Sequence, residues 1–205
     1  MSLDERILVV PRNHVENHLG KFQGYLPFTA SHFPLLDIKS FQFLPRSEVE
    51  DDPTLKQIIP YIYLYHWQDG IRKIVTYLRG QQGGEDRLHA LRSLGFGGHV
   101  RQHEGETAID TVLREAVREL IEEVGVNEDI KSLPHGWIND DSNPVGSVHL
   151  GLVYSIWLED AKLHSNEAEG ISDLRLDSPS LVQSHLDEYE PWSQLVFNAF
   201  HIFQS

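Results

Sequence analysis

Between Ala108 and Val124 the apolar residues Ile109, Val112, Leu113, Ala116, Val117, Leu120, Ile121 and Val124 recur at helical spacing. That stripe predicts one long amphipathic helix, which must lay its apolar side on a core. At roughly 100° per residue, Glu115, Glu119, Glu122 and Glu123 share an arc about 100° wide, away from the centre of the stripe. Like charges this close repel one another. The only cations on the helix are Arg114 and Arg118, on its flank. A solvated acidic face is the plain reading. A hard divalent cation with oxygen ligands, Mg²⁺ or Mn²⁺, is the sharper one.

Glycines around the helix favour the sharper reading. Gly125 stands where a helix end wants a residue tolerant of positive φ. Gly95, Gly97 and Gly98, upstream, let backbone approach a ligand or metal closely. Together the residues resemble the Nudix box of the MutT-like hydrolases, Gly-x5-Glu-x7-Arg-Glu-U-x-Glu-Glu-x-Gly-U, with U a bulky aliphatic. Arg118, Glu119, Leu120, Glu122, Glu123, Gly125 and Val126 match every fixed position of its second half.

The first half departs from the pattern. Six more residues separate Gly98 from Arg118 than the box allows. Gly105-Glu106 reproduces the Gly-Glu that precedes the helix and leaves eleven residues before Arg118. The four extra residues there approach one helical turn, so the helix can lengthen without rotating its acidic face. Asp110 alternatively holds the standard spacing, with all the extra residues in the loop. Glu106 and Asp110 both fit the first acidic position.

At 205 residues the chain can build one substantial core. It has no cysteine, which excludes disulfides, thiolate zinc sites and a cysteine nucleophile. No apolar run reaches transmembrane length and no signal pattern opens the chain, so a cytoplasmic protein is expected. A net charge of −14 disfavours nucleic acid and anionic membrane as partners. An anionic substrate must be received locally.

Residues 5–10 read as a short strand, and residues 11–57 as an irregular stretch broken by Pro27, Pro34, Pro45 and Pro53. Ile58–Trp67 and Ile71–Leu78 are strand-like and joined by Gln68-Asp69-Gly70, a hairpin signal. Further strands are predicted over Gly136–Asn139 and Ser147–Leu158. A terminal amphipathic stretch runs through Leu181, Leu186, Trp192, Leu195, Val196 and Phe200. The resemblance implies an α/β fold, a Nudix-type α/β/α sandwich with a mixed sheet, over residues 58–205. Residues 1–57 are then an N-terminal extension packed on that core, suited to setting specificity or joining a homodimer.

The resemblance also implies a chemistry: metal-dependent hydrolysis of a diphosphate bond in a nucleoside diphosphate derivative or related phosphoanhydride. Carried over residue by residue, Glu119, Glu122 and Glu123 are the metal carboxylates, with the Gly97 or Gly98 carbonyl a further ligand. Arg118 holds a box carboxylate in its rotamer. Candidates for the general base are Glu122, Glu106 and the distal acids Asp140, Asp141, Glu167 and Glu169; the box is preferred. Arg87 and Arg92 flank the glycine loop and are candidates for gripping phosphates. Asp140-Asp141 reads first as turn chemistry, His149 as a satisfied core or cleft-edge histidine, and Trp137 and Trp157 as core. The alternative is a Nudix-fold nucleotide-binding or regulatory domain without catalysis. An isoprenoid diphosphate isomerase would need a cysteine that the chain lacks.

Overall fold

The computed structural model describes residues 5–28, 38–80, 91–103, 108–126, 134–160, 162–164 and 170–200. Elements follow in the order β1 (Arg6–Pro11), α1 (Arg12–Leu19), β2 (Gly24–Pro27), β3 (Gln42–Pro45), α2 (Arg46–Val49), β4 (Leu55–Gln68) and β5 (Ile71–Arg79). Then come β6 (Arg92–Ser93), β7 (Gly95–Phe96), α3 (Ala108–Val124), β8 (Gly136–Asn139), α4 (Pro144–Val148), β9 (His149–Trp157), β10 (Ile171–Asp177), α5 (Pro179–Ser184) and α6 (Pro191–Ala199). They divide into two compact units, Met1–Tyr61 with Gly97–Ala116 and Leu133–Val153, and Ile62–Phe96 with Val117–Ser132 and Tyr154–Ser205. No helix among the described residues is long and apolar enough to cross a membrane.

In the first unit β1 is a central strand, antiparallel to β3 on one side and to the start of β4 on the other. Its run Ile7-Leu8-Val9-Val10 is buried, and because successive side chains point to opposite faces, both faces of the strand are covered. Ile7, Val9 and Val49 form a core cluster against which Leu44 and Leu55 pack. In the same unit β8 pairs antiparallel with β2 and with β9. Among its described residues the stretch 11–57 is therefore not irregular. Its helix α1 escapes sequence reading because it buries only Val15 and lacks a side-chain N-cap, so no apolar stripe marks it. The boundary drawn at 57/58 falls inside β4.

In the second unit β5 lies antiparallel to β4 and to β10. The β4–β5 hairpin that sequence predicted turns through two residues, with Gln68 in the strand rather than the turn: Asp69 and Gly70 both have positive φ (53° and 76°), and Gln68 faces Ile71 across it. The short strands β6 and β7 add to β5 and β4. Tyr77 stacks on Phe96 with ring centroids 4.8 Å apart. Buried Glu190 opens α6 by accepting from the backbone N–H groups of Trp192 and Ser193, which satisfies two orphan donors of the first turn. Strand β9 begins at His149 rather than Ser147. Asn143 caps a short helix there, with Pro144 in its first turn, and that helix takes the preceding residues.

Candidate active site

Helix α3 spans Ala108–Val124, the range its apolar stripe predicted. Its acidic arc is not a solvated face: Glu115 is 0 % and Glu119 7 % exposed. Carboxylates at that depth persist only when paired or bound to a cation. Glu122 is different, with 46 % of its side chain in solvent.

The C-terminal turns of α3 belong to the second unit. There Arg118 reaches both Glu119 and Glu122, forming an ion pair with each through its two terminal nitrogens. One planar guanidinium thus holds two box carboxylates in fixed directions. No basic residue lies in the last turn, although Glu122 and Glu123 stand at the negative end of the helix dipole. Stability alone would not place acids there. Gly125 ends the helix at φ 71°; its N–H donates to the Ile121 carbonyl (3.1 Å) and that of Val126 to the Leu120 carbonyl (3.2 Å). The His164 N–H takes the Val124 carbonyl at 3.2 Å.

The first unit holds the glycine loop. Gly97 has φ 156°, and a Cβ there would run into the Pro60 carbonyl oxygen, so only glycine lets the loop lie this close to β4. His99, two residues on, approaches Gln57 Oε1 with its Nε2 at 2.8 Å. His149 Nδ1 faces the Val145 carbonyl at 2.8 Å, and its Nε2 lies 3.3 Å from that of His99. Burial, with the neighbouring His149 adding to it, pushes His99 down to about 3. Burial also lowers His149, so this pair is neutral at pH 7. His149 is the satisfied histidine that sequence suggested. Sequence reading missed the partners of Glu115: Arg101 Nε donates to its Oε2 (2.9 Å) and His103 Nε2 approaches its Oε1 (2.7 Å). A fourth glutamate on the acidic arc was the one available signal.

Among the other candidates, Glu106, Arg87, Glu167 and Glu169 lie outside the described residues, while Asp110 is placed in the first turn of α3. Arg92 is buried, and its guanidinium donates to Asp173 Oδ2 (2.8 Å) and to Thr76 Oγ1 (2.7 Å). These bonds join β5, β6 and β10 and leave Arg92 turned away from solvent. Asp140 does turn chemistry, accepting from Ser142 N–H (3.1 Å), Ser142 Oγ–H (2.6 Å) and the Asn143 amide (3.1 Å). Asp141 pairs with Arg12 (3.0 Å) and with Lys56 Nζ (2.7 Å). Burial works against its ionisation, but hydrogen bonds from Arg12, Lys56 and Asn139 prevail and hold it at about 2. Trp137 is buried in a T-shaped contact with Phe28, whereas Trp157 is half exposed, contrary to its core assignment.

The donors on α3 suit a hard divalent cation, being carboxylate oxygens throughout. Among the described residues no three His, Asp or Glu side chains converge into a ready-made cation cage. Arg118 explains the spread, since its fork draws Glu119 and Glu122 onto itself. It supplies the positive charge those two carboxylates need within the protein alone.

No family model matches the chain. Protein YmaB of Bacillus subtilis (strain 168) is 36 % identical over 203 residues, covering 95 % of this chain and 97 % of its own length. The crystal structure of Tm1382, assigned to the Nudix hydrolases, superposes with a TM-score of 0.78 at 28 % identity, over 95 % of this chain and 97 % of Tm1382. The MutT protein of Methanosarcina mazei Go1 shares the fold at 13 % identity, with a TM-score of 0.51 over 73 % of this chain and 96 % of that one. The fold is thus the α/β sandwich that the box implied, and a likeness over 95 % of the chain extends well beyond the box. On its second-half box residues and its match to Tm1382 along almost the whole chain, this protein belongs to the Nudix superfamily.

Proposed function

We propose that the chain is a metal-dependent hydrolase that cleaves the diphosphate bond of a nucleoside diphosphate derivative. The observation that carries this reading is Arg118 bound to Glu119 and Glu122 at the end of a helix whose last turn has no base. Those carboxylates, with Glu123, would hold Mg²⁺ or Mn²⁺; the Gly98 carbonyl is the further ligand that the family pattern supplies. Such a cation offsets phosphate charge, orients the anhydride and lowers the pKa of a bound water.

The remaining work falls to the protein's own residues. Arg118 keeps Glu119 and Glu122 from swinging apart and offsets their mutual repulsion before the cation arrives. Glu122, the more exposed, can meet an attacking water and take its proton. Glu106 remains the family's further acidic position. Arg87 is the cation proposed to meet the substrate's phosphates, whereas Arg92 fastens strands. In this reading residues 58–205 carry the hydrolytic machinery, and residues 1–57 set substrate choice or join two copies. The substrate is a small phosphoanhydride taken from the cytoplasm.

Turnover tests the reading. A panel of nucleoside diphosphate derivatives would be incubated with Mg²⁺, with Mn²⁺ and with chelator, and phosphate or nucleotide release measured. Release that needs metal establishes the hydrolase and names its substrate class. Metal and nucleotide binding without release on any member would establish the regulatory alternative instead.

A further inference from the structure

In the lengthened first half of the box, the described residues 99–103 lead from the glycine loop toward α3. Val100, Arg101 and Gln102 run beside β1: Leu8 N–H donates to the Val100 carbonyl (2.9 Å), Ile7 bridges Arg101, and Gln102 N–H donates to the Arg6 carbonyl (3.0 Å). Arg6 Nε adds a bond to Gln102 Oε1 at 2.9 Å. From this rail Arg101 and His103 reach Glu115, each taking one carboxylate oxygen. Arg101 also pairs with Glu5 at 3.5 Å, just before β1. Glu115 itself has no exposure at all, while Arg101 and His103 keep about a third of theirs (31 % and 32 %).

A carboxylate removed from water and bonded at both oxygens fixes the backbone that carries it, because releasing it would strand the charge. Glu119 follows one turn later on the same helix, about 6 Å along and rotated by roughly 40°. We infer that Glu115, gripped by Arg101 and His103 on the β1 rail, is a positioning residue that sets where the box carboxylates of α3 stand. Glu115 is a further acidic residue of the helix, outside the positions that the family pattern fixes. The longer first half then supplies the two donors that hold the helix. Part of what residues 1–57 do for the site follows from this, since β1 is the strand on which the rail is laid. This inference rests on the metal-binding reading of Glu119 and Glu122, and its test also has a readout that needs no metal.

The test compares the full-length wild-type chain with Glu115→Gln, Arg101→Gln and the double variant. Mn²⁺ affinity is measured by electron paramagnetic resonance, and amide hydrogen exchange along α3 without metal. Each single variant should bind Mn²⁺ about 10-fold more weakly and exchange faster over residues 117–124, with β5 and β10 unchanged. The double variant should be no worse than either single one, because an amide pair leaves no stranded charge. Wild-type Mn²⁺ affinity and wild-type α3 exchange in a folded Glu115→Gln chain would overturn the anchor, as would effects that simply add. If Glu115→Gln does not fold, His103→Asn carries the same two readouts from a partly exposed position. A wild-type chain that binds no Mn²⁺ contradicts the functional reading. Unchanged α3 exchange contradicts the anchor.

Discussion

The two halves of the Nudix box are held in opposite ways. From Arg118 to Val126 the bonds that shape the motif are local: Arg118 meets Glu119 and Glu122 on its own helix, and Gly125 closes the turn with bonds to Ile121 and, through Val126, to Leu120, while the His164 N–H on the Val124 carbonyl comes from outside. From Gly97 to Glu115 the partners are distant in sequence. Gly97 lies on Pro60, His99 on Gln57, Arg101 on Ile7, and Glu115 on Arg101 and His103. A motif whose geometry is local shows in the spacing of residues. One whose geometry is tertiary can change its spacing and keep its effect.

That contrast can be attacked from either side. The largest effect is expected in the local half: Glu119→Gln should lower kcat by about 10³-fold, the several kcal/mol that a cation's carboxylate is worth in a transition state. Thermal stability should fall little by comparison, so activity and Tm measured together separate a ligand from a structural residue.

Next is the tertiary half. Gly97→Ala forces a methyl onto the Pro60 carbonyl and should cost about 3 kcal/mol, a Tm drop of roughly 10 °C by calorimetry. A Tm within a degree or two of wild type would mean that the loop does not lie on β4.

Asp141 tests the frame beside that loop, because Lys56, its buried partner, precedes Gln57 on β4. Its folded pKa of about 2 lies below the unfolded value near 3.9. The stability it contributes is therefore complete above about pH 4 and is lost as pH falls toward about 2. Asp141→Asn should remove that acid-side slope in denaturant titrations. At pH 7 it should cost about 2 kcal/mol, between a surface pair and a broken buried one, because Lys56 is buried while Asp141 still meets solvent.

The smallest effect is expected far from both halves. Gly70→Ala at φ 76° has open space around it and should cost only about 1 kcal/mol, read from the urea midpoint, with metal affinity unchanged.

Much of this molecule could be read from its residues before any coordinates. The stripe from Ile109 to Val124 marked α3, and Asp69-Gly70 marked the β4–β5 turn, because both signals are local. Residues 11–57 hid α1 and β3 for a physical reason. The helix buries one residue, and the strand is four residues long and ends in a proline. Arg92 looked like a phosphate grip from its place beside the glycine loop. Its structural duty depends on Asp173, eighty-one residues away, which spacing does not reveal. The anchor of Glu115 was hidden likewise: the glutamate stood on the right arc, while its partners Arg101 and His103 sat in a loop that looked like an insertion.

The most direct measurement is the kcat of Glu122→Gln against wild type, on whichever nucleoside diphosphate derivative the wild-type chain turns over in Mg²⁺, with chelator as the blank. A fall of about 10² to 10³-fold, with KM nearly kept and the chain still folded, is the expected result. Turnover by Glu122→Gln equal to wild type, or wild-type turnover that survives chelation, would contradict metal-dependent hydrolysis at the Arg118–Glu123 carboxylates.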